Sequence, residues 1–457
     1  GSSGSSANSA LWDSSVLMKQ PIALDSACRS ALRPLVLFCL TSVAKAISGT
    51  TGLRRSFLGR GPEHEETDVL LQSFRGNQTQ EDALAWKILQ QTVPDPSSLT
   101  HEQYAPTGMD QRPVRIHFLF LAVDRVANLN VWQLFFQNAD PDQYRAFVLC
   151  KLPECERSVA GSGLKVVPAV ASSYCSDLVS PMNKLLLYAL ADDGMNSSNG
   201  LMTRNAEDKF VFVSDSTLPA KPFSHVYSTM AGRHGSSFCV FPSDEWGDAA
   251  GPSGGLEVMV KHHQWLTLNR EHAAEAVYRW RDGVATDIMR RFHLNELPYT
   301  FRDNTFADSR NFGCLDEFWY MAALYGTLKN VASYHRGAVE LPLFVGAPLQ
   351  VSSETSWQGQ CDTFVAWPQY VSKVATMLAA NAFDQLFSSF DGASAPSEMS
   401  YQRPGKFTSL SEAGMRAIRE SSFMFLRKFV DKPTFVVGNS TGLPADFSDA
   451  YHHIVLS

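Results

Sequence analysis

Val114-Arg-Ile-His-Phe-Leu-Phe-Leu-Ala122 decides the fold class. It starts by alternating and then becomes continuously apolar, the pattern of a strand buried on both faces. Lys209-Phe-Val-Phe-Val213 repeats that pattern. Between the two, residues 128–138 predict a helix whose apolar stripe is Leu129, Trp132, Leu134, Phe135 and Phe136. Residues 145–150 and 164–170 predict further strands, and 184–191 another helix. Strands alternating with helices give an α/β fold with a mostly parallel central sheet. Ligands in such sheets bind at the carboxyl ends of the strands, which directs attention to the residues after Val213.

The chain has 457 residues, room for one large domain or two ordinary ones. Apolar residues make up 44% and charged residues 19%, enough for a substantial core. The net charge is −7 and no Lys/Arg run is long, so a nucleic-acid partner is not expected. Residues 1–110 lack sustained periodicity apart from one helical stretch at 81–91, and read as tag remnant, targeting segment and stem. Residues 111–457 read as one catalytic domain. Arg29 and Arg33, the run Leu35-Val-Leu-Phe-Cys-Leu40 and Ala44-Lys-Ala46 follow the order of a signal segment, the expected route to any membrane contact. A buried N-terminal helix is the alternative.

Eight cysteines are present without a CxxC pair, which disfavours a zinc ribbon. Disulfides among Cys150, Cys155, Cys175, Cys239, Cys314 and Cys361 fit a secreted chain. Glycosylation sequons at Asn77, Asn196 and Asn439 point weakly the same way.

Four segments could carry chemistry. Ser214-Asp-Ser-Thr-Leu-Pro219 puts hydroxyls and one carboxylate at a strand end, suited to a ribose or base edge and equally to turn formation. Because Asp215 stands alone there, a metal-held diphosphate is not expected. In Lys261-His-His-Gln-Trp265 the adjacent histidines point apart and lack an HExxH pattern, so a polar rim beside Trp265, as packing or sugar platform, is the expectation. Cys314-Leu-Asp-Glu-Phe-Trp-Tyr320 starts an apolar helical run with two carboxylates. They complement the helix dipole, and a carboxylate so placed can also take a proton from a sugar hydroxyl. Arg403-Pro-Gly-Lys406, Arg416, Arg419 and Phe423-Met-Phe-Leu-Arg-Lys-Phe429 form a basic stretch able to neutralise a leaving diphosphate, or simply to be solvated.

Together these segments resemble the core-2/I-branching N-acetylglucosaminyltransferase-like family, especially its plant and algal branch. Val131-Trp-Gln-Leu-Phe-Phe136 is similar to its Leu-Trp-x-x-Phe-Phe helix, and Phe212-Val-Ser-Asp-Ser-Thr-Leu-Pro219 to its Ser-Glu-Ser block. His263-Gln-Trp265 resembles Gly-Ser-Gln-Trp, Cys314–Phe318 the Cys-x-x-Asp-Glu motif, and Phe425-Leu-Arg-Lys-Phe429 the Phe-Ala-Arg-Lys-Phe motif. The blocks keep family order across residues 112–430. His262 and His263 in place of Lys-Gly-Ser, and Ser-Asp-Ser for Ser-Glu-Ser, are departures that bear on donor and acceptor identity.

The resemblance implies a GT-A-type fold and an inverting, metal-independent transfer from a UDP-sugar to a glycan or glycoprotein hydroxyl in the secretory pathway, at the Golgi lumen. It makes Glu317 the base and Lys428 the diphosphate contact, with Arg403 beside it. Ser214, Asp215 and Ser216 are the other expected donor contacts, and Gln264, Trp265 and Asp316 the acceptor contacts. No cofactor or metal is expected. The competing reading is a catalytically inactive sugar-binding protein on the same fold. A hydrolase using Asp316 and Glu317 is weak, because adjacent carboxylates do not easily flank one bond from opposite sides.

Overall fold

The computed structural model describes residues 79–92, 112–172, 177–195, 205–240, 247–250, 256–281, 314–326, 328–331, 350–351, 361–365, 406–436, 444 and 446–457. All belong to the unit from Val69 to Ser457. The signal-like segment, the three sequons, Cys175 and Arg403 lie outside the described residues.

The first strands are β1 (Ile116–Ala122), β2 (Tyr144–Cys150), β3 (Lys165–Val167), β4 (Lys209–Ser214) and β5 (Thr217–Pro219). Then come β6 (Ser237–Phe238), β7 (Gly247–Ala250), β8 (Leu256–Met259), β9 (Thr267–Asn269) and β10 (Leu328–Val331). The last are β11 (Gln350–Val351), β12 (Thr363–Val365), β13 (Phe407–Ser411), β14 (Phe425–Arg427) and β15 (Phe429–Val436). Seven of them form the main sheet in the order β11-β6-β9-β4-β1-β2-β3. β1 runs parallel to both β2 and β4, β2 parallel to β3, and β6 parallel to β11, while β9 is antiparallel to its neighbours β4 and β6. The largely parallel α/β sheet expected from the doubly apolar strands is therefore present, with β1 and β4 side by side.

The alternation of side chains sorts the core into two layers. Phe118, Phe120, Val211 and Val213 enter one apolar cluster, while Leu119, Phe210 and Phe212 enter the other. The first layer is completed by the helices Leu129–Phe136, Phe223–Ala231 and Glu412–Glu420, and by the C-terminal segment through Tyr451 and Leu456. The second is covered by Gln80–Thr92, Val179–Met195, Arg270–Arg281 and Trp319–Tyr325. Each large side chain buried this way is worth about 1.5–3 kcal/mol, so neither face can be given up.

Some sequence boundaries shift. The third strand is short, Lys165–Val167, and the helix read at 184–191 runs over Val179–Met195. Asn128 sits just outside its helix in left-handed conformation (φ 55°), which asparagine tolerates well. Its side-chain amide donates to the Val430 carbonyl at 2.8 Å and its Oδ1 accepts from Lys432 N–H at 3.1 Å, tying the end of β1 to β15. The helix Gln80–Thr92 falls in the stretch read from composition as stem, yet Ala85, Ile88 and Leu89 are buried and Asp82 pairs with Lys184 at 3.0 Å. Three apolar residues spaced along one face outweigh the polar composition of its neighbourhood.

At the amino ends of β1 and β4, Asp208 is completely buried and gathers donors from three residues. Arg112 Nη1 and the Arg115 backbone N–H each donate to Oδ1 at 2.8 Å, and Arg270 Nε donates to Oδ2 at 3.0 Å. Despite its burial, the charge of Arg270 and the hydrogen bond from Arg112 hold this carboxyl well below the usual range. Asp208→Asn leaves two buried guanidiniums short of a counter-charge. It is expected to cost about 3–5 kcal/mol in denaturant unfolding. A loss below about 1 kcal/mol would show that the cluster behaves like a surface pair.

Candidate functional site

The far end of β4 turns sharply. Asp215 N–H donates to the Leu121 carbonyl at 2.9 Å and the Asp215 carbonyl accepts from Ala127 N–H at 2.7 Å, so the loop after β1 and the turn after β4 are locked together. Ser214 Oγ lies 2.7 Å from Thr217 Oγ1 and 3.3 Å from Ser216 Oγ, and all three residues are buried. Those hydroxyls hold the turn together, the second of the two readings open for this motif. The Asp215 carboxyl is raised by desolvation, and the charges of Arg427 and Lys428 oppose that rise.

The basic residues reach this turn through a small sheet of their own. β14 pairs antiparallel with β5, setting Arg427 opposite Thr217, and parallel with β12, setting Arg427 opposite Val365. Two residues on, Phe429 N–H donates to the Ser216 carbonyl at 2.8 Å. Lys428, half-buried, therefore sits between two residues anchored to the Asp215 turn, and its carbonyl accepts from Phe407 N–H at 2.7 Å. The Cys239–Cys361 disulfide fixes the start of this sheet. The adjacent Asp362 carbonyl accepts from both Met424 N–H and Phe425 N–H at 2.9 Å. Cys150–Cys155 is a second bridge, and Cys314 is also disulfide-bonded.

Glu317 ends the short 3-10 turn Leu315–Glu317 ahead of the helix Trp319–Tyr325. Its Oε2 accepts from Cys314 N–H at 3.2 Å in a capping box, and Lys261 Nζ lies 3.7 Å away. Among the described residues Oε1 takes no hydrogen bond. The side chain is 15% exposed. Desolvation raises its pKa, with the charges of Lys261 and Arg427 opposing. Burial and the nearby cations thus pull this carboxyl in opposite directions. Asp316, its neighbour, is 1% exposed and raised well above the carboxylate range by desolvation and then by Glu317.

The Glu317 carbonyl accepts from His262 N–H at 2.7 Å, joining this turn to the 261–265 segment. The histidines there do not form a polar rim. His262 is fully buried and His263 nearly so, and burial lowers their pKa values to about 4 and about 3. The phenyl ring of Phe238 meets His262 edge-on and Tyr320 packs nearby, which explains the apolar surroundings. Trp265 is 8% exposed, and the Arg427 guanidinium lies 4.1 Å above its ring. The indole is thus a wall under a cation, a contact worth up to about 2 kcal/mol when desolvated, and not an open platform. Gln264 reaches back to Met182 Sδ at 3.8 Å.

Arg427 is the residue that sequence reading passed over in favour of Lys428. Its charge acts on Asp215 on one side and on Asp316, Glu317 and His263 on the other. The only sequence signal was its place inside the Phe-Leu-Arg-Lys-Phe block. Arg416 and Arg419 lie elsewhere: Arg416 pairs with Glu412 at 2.7 Å on the surface, and Arg419 donates to the Ile454 carbonyl at 3.0 Å.

No family model matches the chain. Over 198 residues it is 26% identical to the glycosyltransferase BC10 of Oryza sativa subsp. japonica, a match covering 41% of this chain and 46% of that protein. The chain thus spans about half the length of that curated relative.

Because glutamine also serves at the third position of a capping box, Glu317→Gln is expected to stay within about 1 kcal/mol of wild type in thermal unfolding. Glu317→Ala removes the acceptor and is expected to cost about 1 kcal/mol more. Equal melting of all three proteins would mean that the cap is energetically idle.

Proposed function

We propose that the protein is a glycosyltransferase of the secretory pathway, an inverting and metal-independent enzyme of GT-A type. It moves a sugar from a UDP-sugar donor onto a hydroxyl of a glycan or glycoprotein. The observation that carries this reading is the meeting of two chemistries at the carboxyl end of the parallel strands. A partly buried, raised carboxyl at Glu317 lies within the field of Arg427, which acts together with its neighbour Lys428 on Asp215 and is anchored on the Asp215 turn. The distant likeness to a rice protein named as a glycosyltransferase supports glycosyl transfer in general.

In this reading the acceptor hydroxyl oxygen attacks the anomeric carbon from the face opposite the diphosphate. Glu317 takes the hydroxyl proton as the new carbon–oxygen bond forms. The bond from the anomeric carbon to the phosphate oxygen breaks, and UDP leaves with that electron pair. The ammonium of Lys428 balances the leaving charge in place of a divalent ion, with Arg403 as its proposed companion. Ser214 and Ser216 shape the donor side through the turn they close, and Asp215 is the polar group there with partial exposure. Gln264 and Asp316 are proposed on the acceptor side. The Cys150–Cys155 and Cys239–Cys361 bridges support an oxidising compartment such as the Golgi lumen. Among the described residues no helix is long and apolar enough to cross a membrane, and any membrane contact is assigned to the N-terminal segment.

Purified protein offered a panel of UDP-sugars with glycan acceptors should release UDP equally well with excess EDTA. Activity restored only by manganese would overturn metal independence. Glu317→Gln should lower kcat by about 10²–10⁴ while UDP binding in calorimetry is unchanged. Lys428→Ala should weaken UDP binding by about 1.5–3 kcal/mol. Near-normal turnover by Glu317→Gln would remove Glu317 from the base role.

A further inference from the structure

Two carboxylates of this site belong to different elements and face different halves of the proposed reaction, yet one cation serves both. Asp215 stands on the turn after β4, where the groups acting on it are Arg427, Lys428, Asp124 and the Ser216 hydroxyl. Glu317 stands at the start of a helix, where Lys261 approaches to 3.7 Å, Cys314 N–H donates to it, and Asp316 is its chain neighbour. Arg427 acts on both.

Its position is over-determined. The backbone is clamped between β5 and β12, with Phe429 N–H bonded to the Ser216 carbonyl two residues on. The guanidinium lies 4.1 Å above Trp265, whose own segment is tied to Glu317 through the His262 N–H to Glu317 carbonyl bond. A flat, permanently charged group on an aromatic face keeps its position where a lysine would wander.

We propose that Arg427, fixed on Trp265, is a positioning residue: its guanidinium is the shared counter-charge of Glu317 on the acceptor side and Asp215 on the donor side. This rests on the proposed function in taking Glu317 as the base. The consequence is electrostatic coupling between the two halves of the site. Loss of the Arg427 charge leaves both carboxyls with burial less opposed, so both hold their protons to higher pH. Glu317 then enters each cycle protonated more often, and the acid limb of the pH–rate profile moves upward. A residue that only filled space under β14 would alter stability without moving either titration.

The test titrates the full chain labelled with ¹³C at the glutamate and aspartate carboxyl carbons, using Glu317→Gln and Asp215→Asn to identify the two resonances. Arg427→Met, which keeps an apolar stem on Trp265, is expected to shift both titrations upward. Arg427→Lys, which keeps the charge but not the stacked plane, is expected to shift both clearly less than the neutral variants do. Arg427→Gln provides a second neutral variant should the methionine protein fail to fold. Unmoved titrations in a folded neutral variant would overturn the proposal, and so would a lysine variant that shifts as far as the neutral ones. The titrations need no turnover, so an inert wild-type protein would count against the transferase reading and leave this measurement to decide the coupling. In an active protein the acid limb of kcat/KM should move in the same order, with the lysine variant rescuing it.

Discussion

The central strands have no face to spare, and the placement of the charged groups at their two ends follows from that. Alternate residues of β1 and β4 enter opposite apolar layers, so a charged side chain along either strand would be desolvated without partners. Polar chemistry is therefore confined to strand ends. The amino end carries Asp208, neutralised by Arg112 and Arg270 and left with nothing to offer a ligand. The carboxyl end carries Asp215, whose compensation is incomplete and whose charge is shared with groups contributed from late in the chain. One end of the sheet is sealed and the other is less fully compensated, and the proposed site is placed at the second.

Sealing the late segments onto that end needs more than apolar contact, because β14 joins a three-stranded sheet rather than the main one. The Cys239–Cys361 bridge links residues separated by 122 positions, and such a cross-link removes about 4–5 kcal/mol of unfolded-chain freedom. Asp362, beside it, takes two backbone donors from β14 and its approach, and its carboxylate accepts from Thr267 Oγ1 at 2.9 Å. Thus β9 of the main sheet, the bridge and β14 form one connected path. Arg427 is placed by covalent and hydrogen-bonded restraint, at a sequence distance of over two hundred residues from Asp215.

This path explains what could and could not be read from sequence. The strand at β1, its partner β4 and the helix Leu129–Phe136 were legible because local periodicity alone sets them. The Asp215 turn and the Glu317 helix start were legible as chemical motifs, since hydroxyls, carboxylates and the Cys-x-Asp-Glu run at Cys314–Glu317 are local features. The burial of His262 and His263 was not, because polar side chains in an alternating segment look like a rim until the partner surface is known. Nor was the stacking of Arg427 on Trp265, a contact between segments 162 positions apart in number. The docking of Gln80–Thr92 was missed for a related reason: three buried apolar positions are a weak pattern, and their value depends on the helix Val179–Met195 that receives them.

Under the proposed role of Glu317 as base, a structural and a catalytic use of its carboxylate need not compete. The cap occupies Oε2, which accepts from Cys314 N–H, and leaves Oε1 without a hydrogen bond among the described residues. A bond to the ionised form favours the charge, and burial disfavours it. Lys261 and Arg427 add to the first, and the buried Asp316 alongside works with the second. The capping box also fixes the side-chain torsions, so the free oxygen is held in one direction without further ordering when a substrate arrives. For a group that has to take one proton in one geometry, that restraint is an advantage, because orientation settled by folding need not be supplied by binding. In the proposed reaction the helix-start chemistry visible in the sequence would be the means by which the carboxylate is aimed.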